Sequence, residues 1–150
     1  MIDPQIPSAP LPFFAALHAW QLPAEGEPRQ RISMLGAQIA KGLVESPDFL
    51  RLGLMLALER RPVEPRAREM FLSARSQAAV SLTEALTDFT QGLSDAHIHQ
   101  LVTYAIAGAD GLFIAKEVGG DSVDLPALFE LHVQALYDST LRMMAEGQQA

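Results

Sequence analysis

The chain has 150 residues, no cysteine, and 18 acidic against 11 basic residues, which gives a formal net charge of -7. This length indicates one domain, and hydrophobic residues, at 49%, are numerous enough to form its core. The lack of cysteine argues against a disulfide framework and a thiolate metal site and favours a cytoplasmic protein, while the acidic balance argues against contact with nucleic acid or an anionic membrane.

The sequence opens with a proline-rich segment over residues 1–12. Its prolines are Pro4, Pro7, Pro10 and Pro12. This spacing blocks a helix and favours an extended lead-in outside the core. It also lacks the basic region and apolar stretch of a signal peptide. We therefore expect a single domain over residues 13–150, beginning with a short amphipathic helix over 13–22.

Two helices of different character are predicted next. Apolar residues recur at helical spacing from Arg29 to Glu45, which predicts a helix with one apolar stripe. Ser46 and Pro47 supply an N-cap and a first-turn proline for the run FLRLGLMLAL, residues 49–58. Because a membrane span needs about 20 apolar residues, we expect this run to be a short helix that is buried in the middle of the fold.

Three further helices complete the prediction. A proline starts the first of them, Gly92 is its expected stop, and Ser94 and Asp124 are N-caps for the other two. Their predicted bounds are 65–91, 94–118 and 124–146. No stretch shows sustained strand alternation, so the sequence predicts an all-α bundle of about six helices.

The last two predicted helices carry more apolar surface than one core can cover. Apolar or small residues line two sides of the first of them, and those of the second do not form one narrow stripe. We expect the extra face to pack against the same pair in a second copy, as a four-helix bundle on a two-fold axis. The alternative is a monomeric bundle with a large core. The predicted interface residues are Tyr104, Gly108, Gly111, Ala115, Phe129, His132, Leu136 and Met144.

Three segments together resemble the C-terminal effector-binding and dimerisation domain of the TetR family of transcriptional regulators. They are SPDFLRLGLMLALERR, PRAREMFLSARSQAAVSLTEAL and AIAGADGLFIAKEVGGDSVDLPALFELHVQAL. The likeness covers roughly residues 29–146, and the Asp110-Gly111-Leu112 step in the penultimate helix is frequent in that family. It implies a pocket enclosed by the long helix, the short apolar helix and the elements before it. It also implies a dimer through the last two helices and a role in sensing a small molecule.

The resemblance leaves out the part of such regulators that reads DNA. Family members carry an N-terminal helix-turn-helix, and nothing before Arg29 has that pattern. DNA would therefore be bound only through a helix-turn-helix absent from this chain. The chain is then either a part of a longer regulator or a sensor-like domain without a DNA reader.

The implied pocket would hold a small, mostly apolar molecule. Methionines would give it adaptable walls, unless they only fill the core. Arg75 lies on the apolar stripe of the long helix and needs a partner. The partner is a ligand group or one of Glu59, Asp110 and Glu84, unless the side chain reaches water. The predicted ligand-binding residues are Met34, Met55, Glu59, Met70, Phe71, Arg75 and Ala78.

Metal and catalytic motifs are not evident. His97 and His99 point in different directions on a helix, and His18 and His132 are isolated, so we expect no metal. There is no nucleophile elbow and no glycine-rich phosphate loop, so we expect no cofactor and no enzymatic activity. The alternatives are a stand-alone helical module that binds a protein or ligand, and a cofactor-free enzyme.

Overall fold

The computed structural model describes residues 22–59, 62–63 and 66–148. These residues form helices and two short 3-10 turns, Thr87–Phe89 and Gly120–Ser122, and contain no strand. The all-α prediction is thus confirmed for this part of the chain, whereas the lead-in over 1–12 and nearly all of the helix predicted over 13–22 lie outside it. The helices are α1 (Pro28–Glu45), α2 (Pro47–Leu58), α3 (Arg66–Ala85), α4 (Asp95–Gly119) and α5 (Leu125–Gly147).

Local capping determines where the last two helices begin. The Ser94 hydroxyl accepts a hydrogen bond from the backbone N–H of His97 at 3.3 Å, and the Asp124 carboxylate accepts one from that of Ala127 at 3.1 Å. Each bond satisfies a first-turn N–H that has no partner within its helix. Both N-cap predictions are therefore confirmed. The Ser46 side chain makes no such bond.

The long helix α3 ends earlier than predicted. It stops at Ala85 rather than near Gln91, and the 3-10 turn Thr87–Phe89 follows. The phenylalanine that ends this turn is only 9% exposed, and the Thr90 hydroxyl donates to the carbonyl of Leu86 at 3.1 Å. Burial of the ring and local hydroxyl bonding take the place of another helical turn.

The core consists of two clusters that follow one another along the bundle. α1, α3, α4 and α5 contribute to both, and Ile39 packs against both. The first cluster is Ala40, Leu43, Leu50, Phe71, Phe113, Leu125 and Phe129. The second cluster is Ile32, Leu35, Leu82, Val102 and Val133.

The short helix α2 lies at the edge of the bundle. Leu50 and Gly53 are buried, and a Cβ added at Gly53 would collide with the Phe71 ring of α3. On the other side of α2, however, Met55 is 64% and Leu58 80% exposed. The expectation that this helix is surrounded was wrong, because it packs on α3 and briefly on α1, and an ion pair between Arg51 and Glu117, at 2.6 Å, links it to α4.

Candidate functional site

A cavity of about 130 Å³ lies between the helices. Its walls come from α1, α3, α4 and α5, with Phe49 and Leu50 of α2 at one end. On α1 the lining residues run from Ile32 to Leu43, which is roughly 16 Å along a helix that rises about 1.5 Å per residue. The cavity is therefore elongated, and it extends from the first core cluster to the second.

Small side chains on facing helices explain why space remains here. Ala74 and Ala78 of α3 line the cavity opposite Ala105 and Ala109 of α4. Larger residues, among them Phe71 and Leu82, lie near the two ends of the same stretch of α3 and keep the helices from closing on the alanines. Protein interiors are close-packed and have few voids. A cavity remains here because the alanines are too small to fill the space between helices that larger residues hold apart.

One charged pair interrupts the apolar wall. Nη1 and Nη2 of Arg75 donate to the two carboxylate oxygens of Asp110 at 2.9 and 2.5 Å. The side chains of the two residues retain 28% and 20% of their exposure, and both line the cavity. The guanidinium also lies 5.5 Å from the centre of the Phe71 ring. Of the partners considered for Arg75, the structure pairs it with Asp110.

Three other polar side chains of the wall form hydrogen bonds within the protein, while Tyr137, which also lines the cavity, packs its ring against Phe89 and Arg29. The hydroxyls of Thr90 and Thr140 donate to carbonyls one turn earlier, at 3.1 and 2.8 Å. Nε2 of His132 lies 3.1 Å from the carbonyl oxygen of Ala105, and because that oxygen can only accept, Nε2 carries the hydrogen. The hydrogens of these three side chains are therefore already used in bonds to backbone carbonyls.

The predicted ligand-binding residues fall into two groups. Phe71, Arg75 and Ala78 line the cavity. The remaining four do not line it: Met34, Met55, Glu59 and Met70. Their side chains point outward, since all four are exposed, the methionines by 52, 64 and 49% in chain order. The expected wall from the elements before the short helix includes α1, which lines the cavity through residues other than Met34. The sequence did not reveal the contributions of α4 and α5, although the small residues Ala105 and Ala109 were a usable signal for α4.

The predicted dimer residues also divide. Phe129 is 2% exposed within the first core cluster and leaves no surface for a partner, whereas Leu136 lines the cavity and is half-buried. The His132 ring occupies the space beside Gly108, where a Cβ would collide with it, and these two residues hold α4 against α5. Met144 is half-buried.

The remaining predicted residues, Tyr104, Gly111 and Ala115, lie on the outside of α4. Together with Val118, which was not predicted, we call them the outer stripe. All four are exposed, Tyr104 by 58% and Val118 by 84%, and their spacing of seven, four and three residues places them on one side of the helix. A Cβ at Gly111 would meet no atom within 4 Å. The stripe carries no charge, and its two small residues allow another helix to approach closely.

By length and composition alone, α4 is long and apolar enough to cross a membrane. Within the described ranges, Asp95–Ser122 is the one candidate, with a mean hydropathy of 1.2, and only 17% of its most apolar stretch is buried. Length and composition alone are weak evidence for a membrane, because core helices of soluble proteins share them. The low burial of this helix is nevertheless a direct sign of apolar surface that the protomer does not cover.

Comparisons of the chain with protein-family models, with curated proteins and with solved structures found no match. Among residues 22–59, 62–63 and 66–148, no group of three or more acidic or histidine side chains is placed to hold a metal ion. The cavity and the outer stripe are thus the features on which a function can be argued.

Proposed function

We propose that this protein is the small-molecule-sensing and dimerisation domain of a TetR-like transcriptional regulator. It acts in the cytoplasm as a homodimer, catalyses no reaction and needs no cofactor. DNA is reached only through a helix-turn-helix outside this chain. The observation that carries the proposal is the elongated cavity, whose described lining is mostly apolar, with a few neutral polar side chains and one charged pair. Such concave apolar sites with few polar groups are typical of small-molecule binding.

α4 connects the two activities. Its inner face, including Ala105 and Ala109, lines the cavity, and its opposite face carries the outer stripe. A ligand that favours one position of α4 therefore favours one arrangement of the dimer, and the dimer state changes ligand affinity by the same factor. In a complete regulator this arrangement would set the distance between two DNA-reading domains.

Benzene is a suitable first probe of the cavity because an apolar cavity of about 150 Å³ can hold it. We expect chemical-shift changes on titration with benzene in an NMR experiment. Ala78→Leu, which fills the cavity, should abolish them. Ala67→Leu, at an exposed position of the same helix, is the control and should leave them unchanged. If neither benzene nor a longer octyl compound binds the wild-type protein, the sensing proposal fails.

The dimer is tested by a charge placed on the outer stripe. Ala115→Arg should convert the dimer into a monomer, because arginine is a good helix former but would be buried without a partner at the interface. Gln77→Arg adds the same charge at an exposed site on α3 and should leave the dimer intact. Equal masses for the two variants would refute the interface.

A stand-alone interaction module is the second candidate. It is favoured by the outer face of α2, where Leu52, Met55 and Leu58 are exposed by 56, 64 and 80%. A different protein could bind that face without covering any residue of the outer stripe. Native mass spectrometry separates the two proposals, because a sensor retains a small molecule on a homodimer while an interaction module binds only a foreign chain.

A further inference from the structure

We propose that the cavity selects uncharged, elongated molecules that carry one small head group able both to donate and to accept a hydrogen bond. The head group binds beside Arg75 and Asp110, and the apolar body extends toward the second core cluster. This inference rests on the proposed sensing function and names the chemical class of its ligand.

The length of the cavity selects the shape of the body. Lining residues continue for about three turns on α1, α3 and α5. The lining on α5 runs from Phe129 to Thr140, so the apolar wall is long rather than round. An unbranched chain or a narrow ring system fits such a space better than a compact globular molecule.

The charged pair lies toward one end of this length. Arg75 lies next to Phe71, which belongs to the first core cluster. Asp110 follows Ala109, which packs against the same cluster. At the other end the hydroxyls of Thr90 and Thr140 already donate to backbone carbonyls. Tyr137 adds one neutral hydroxyl at that end. Within the described lining, Arg75 and Asp110 are therefore the one place where a charged donor lies beside a charged acceptor, and this favours one direction of the ligand in the cavity.

The pair is neutral as a unit, and this decides the charge of the head group. A carboxylate ligand would have to take Arg75 from Asp110 and leave the acid without its partner at a site that is only partly open to water. A cationic ligand would pair with Asp110 and leave the guanidinium of Arg75 without its partner. Both exchanges are costly for partly buried charges.

A hydroxyl or primary amide avoids that cost. The bidentate pair uses one N–H on each terminal nitrogen and one lone pair on each oxygen. Further N–H groups and lone pairs remain on both side chains. An uncharged head group can donate to Asp110 and accept from Arg75 while the pair stays intact.

Three probes of one chain length test this inference: 1-octanol, octanoate and 1-chlorooctane. Dissociation constants are measured by calorimetry or NMR for the wild type and two variants. Arg75→Met combined with Asp110→Leu replaces the pair by apolar groups, an exchange that folded proteins commonly tolerate. Asp110→Asn keeps the shape and leaves the charge of Arg75 without its counter-ion.

The ratios of affinities are the quantities to compare, because the solvation of each probe cancels between proteins. Relative to the wild type, the double variant should lose at least about tenfold of the preference for 1-octanol over 1-chlorooctane. Asp110→Asn should shift the ratio of octanoate to 1-octanol toward octanoate by at least about tenfold.

The outcomes distinguish this inference from the function on which it rests. If the probes bind but both ratios stay the same in the variants, the pair does not read the head group and the inference is overturned, while sensing stands. If octanoate binds the wild type more tightly than 1-octanol, the uncharged class is wrong. If neither benzene nor any octyl probe binds, the sensing function itself is refuted. Should the double variant not fold, Asp110→Asn alone decides.

Discussion

The contact between α1 and α5 and the contact between α3 and α4 are built in different ways. Gly36 of α1 meets Val133 of α5 so closely that a Cβ at the glycine would lie 2.7 Å from a valine methyl group. Polar side chains border this contact, where Arg29 donates to Gln134 at 2.8 Å and is paired with Asp138. α3 and α4, in contrast, present alanines to the cavity and are joined by one ion pair, Arg75–Asp110.

The difference shows how one bundle can combine a fixed side with an adaptable side. A glycine opposite a stiff β-branched residue gives close complementarity. Facing alanines leave a space that a ligand can fill without moving the α1–α5 contact. We therefore expect ligand-linked movement in α3 and α4 rather than in α1 and α5.

The largest effect is expected where the packing is tightest. Gly36→Ala should lower the free energy of unfolding by about 1–3 kcal/mol, because the added methyl group overpacks the contact with Val133. Gly42→Ala, in the same helix, is the control. Its Cβ meets no atom within 4 Å, and it should raise stability by up to about 1 kcal/mol. Urea unfolding followed by circular dichroism measures both, and equal effects would mean that the α1–α5 contact is not tight.

The next effect concerns the ion pair. Asp110→Ala should lower the free energy of unfolding by about 1–2 kcal/mol, because it leaves a partly buried guanidinium without its acceptor. The partial exposure of both side chains keeps the loss below that of a fully buried pair. Glu84→Ala, an exposed acid on α3, should change stability by less than about 0.5 kcal/mol. The same urea experiment applies, and a loss no larger than the control would show that Arg75 finds another partner or water.

The smallest effect is expected where space is available. Ala78→Leu adds more atoms than Gly36→Ala does, yet it should change the free energy of unfolding by less than about 1 kcal/mol, because the leucine enters the cavity. Thermal and urea unfolding both report this change. A loss as large as that of Gly36→Ala would show that the α3–α4 contact is as tightly packed as that of α1 and α5.

Local signals in the sequence predicted the helices but not everything that their packing determines. Ser94 and Asp124 were recognised as N-caps because capping depends only on the next three residues. The end of α3 at Ala85 was missed, since it depends on burial of Phe89 by distant helices. Helix exposure likewise depends on tertiary packing, which the sequence of one helix does not show. For this reason α2, which is apolar on all sides, was wrongly expected to be buried.

The candidate site was predictable to the extent that helical periodicity fixes a face. The stripe through Phe71, Arg75 and Ala78 was identified because its members lie three or four residues apart on one helix. Met34 was assigned by residue type, and Met70 also by its place beside Phe71 on the stripe, yet both are exposed. The pairing of Arg75 with Asp110 joins two helices, so the sequence offered it only as one of several choices.

The mass of the protein in solution tests most directly the claim that α4 presents an apolar face for a second copy. Sedimentation equilibrium at micromolar concentration should give a particle of twice the 16.3 kDa chain mass. A single-chain particle under those conditions, with the outer stripe exposed to water, would contradict the account.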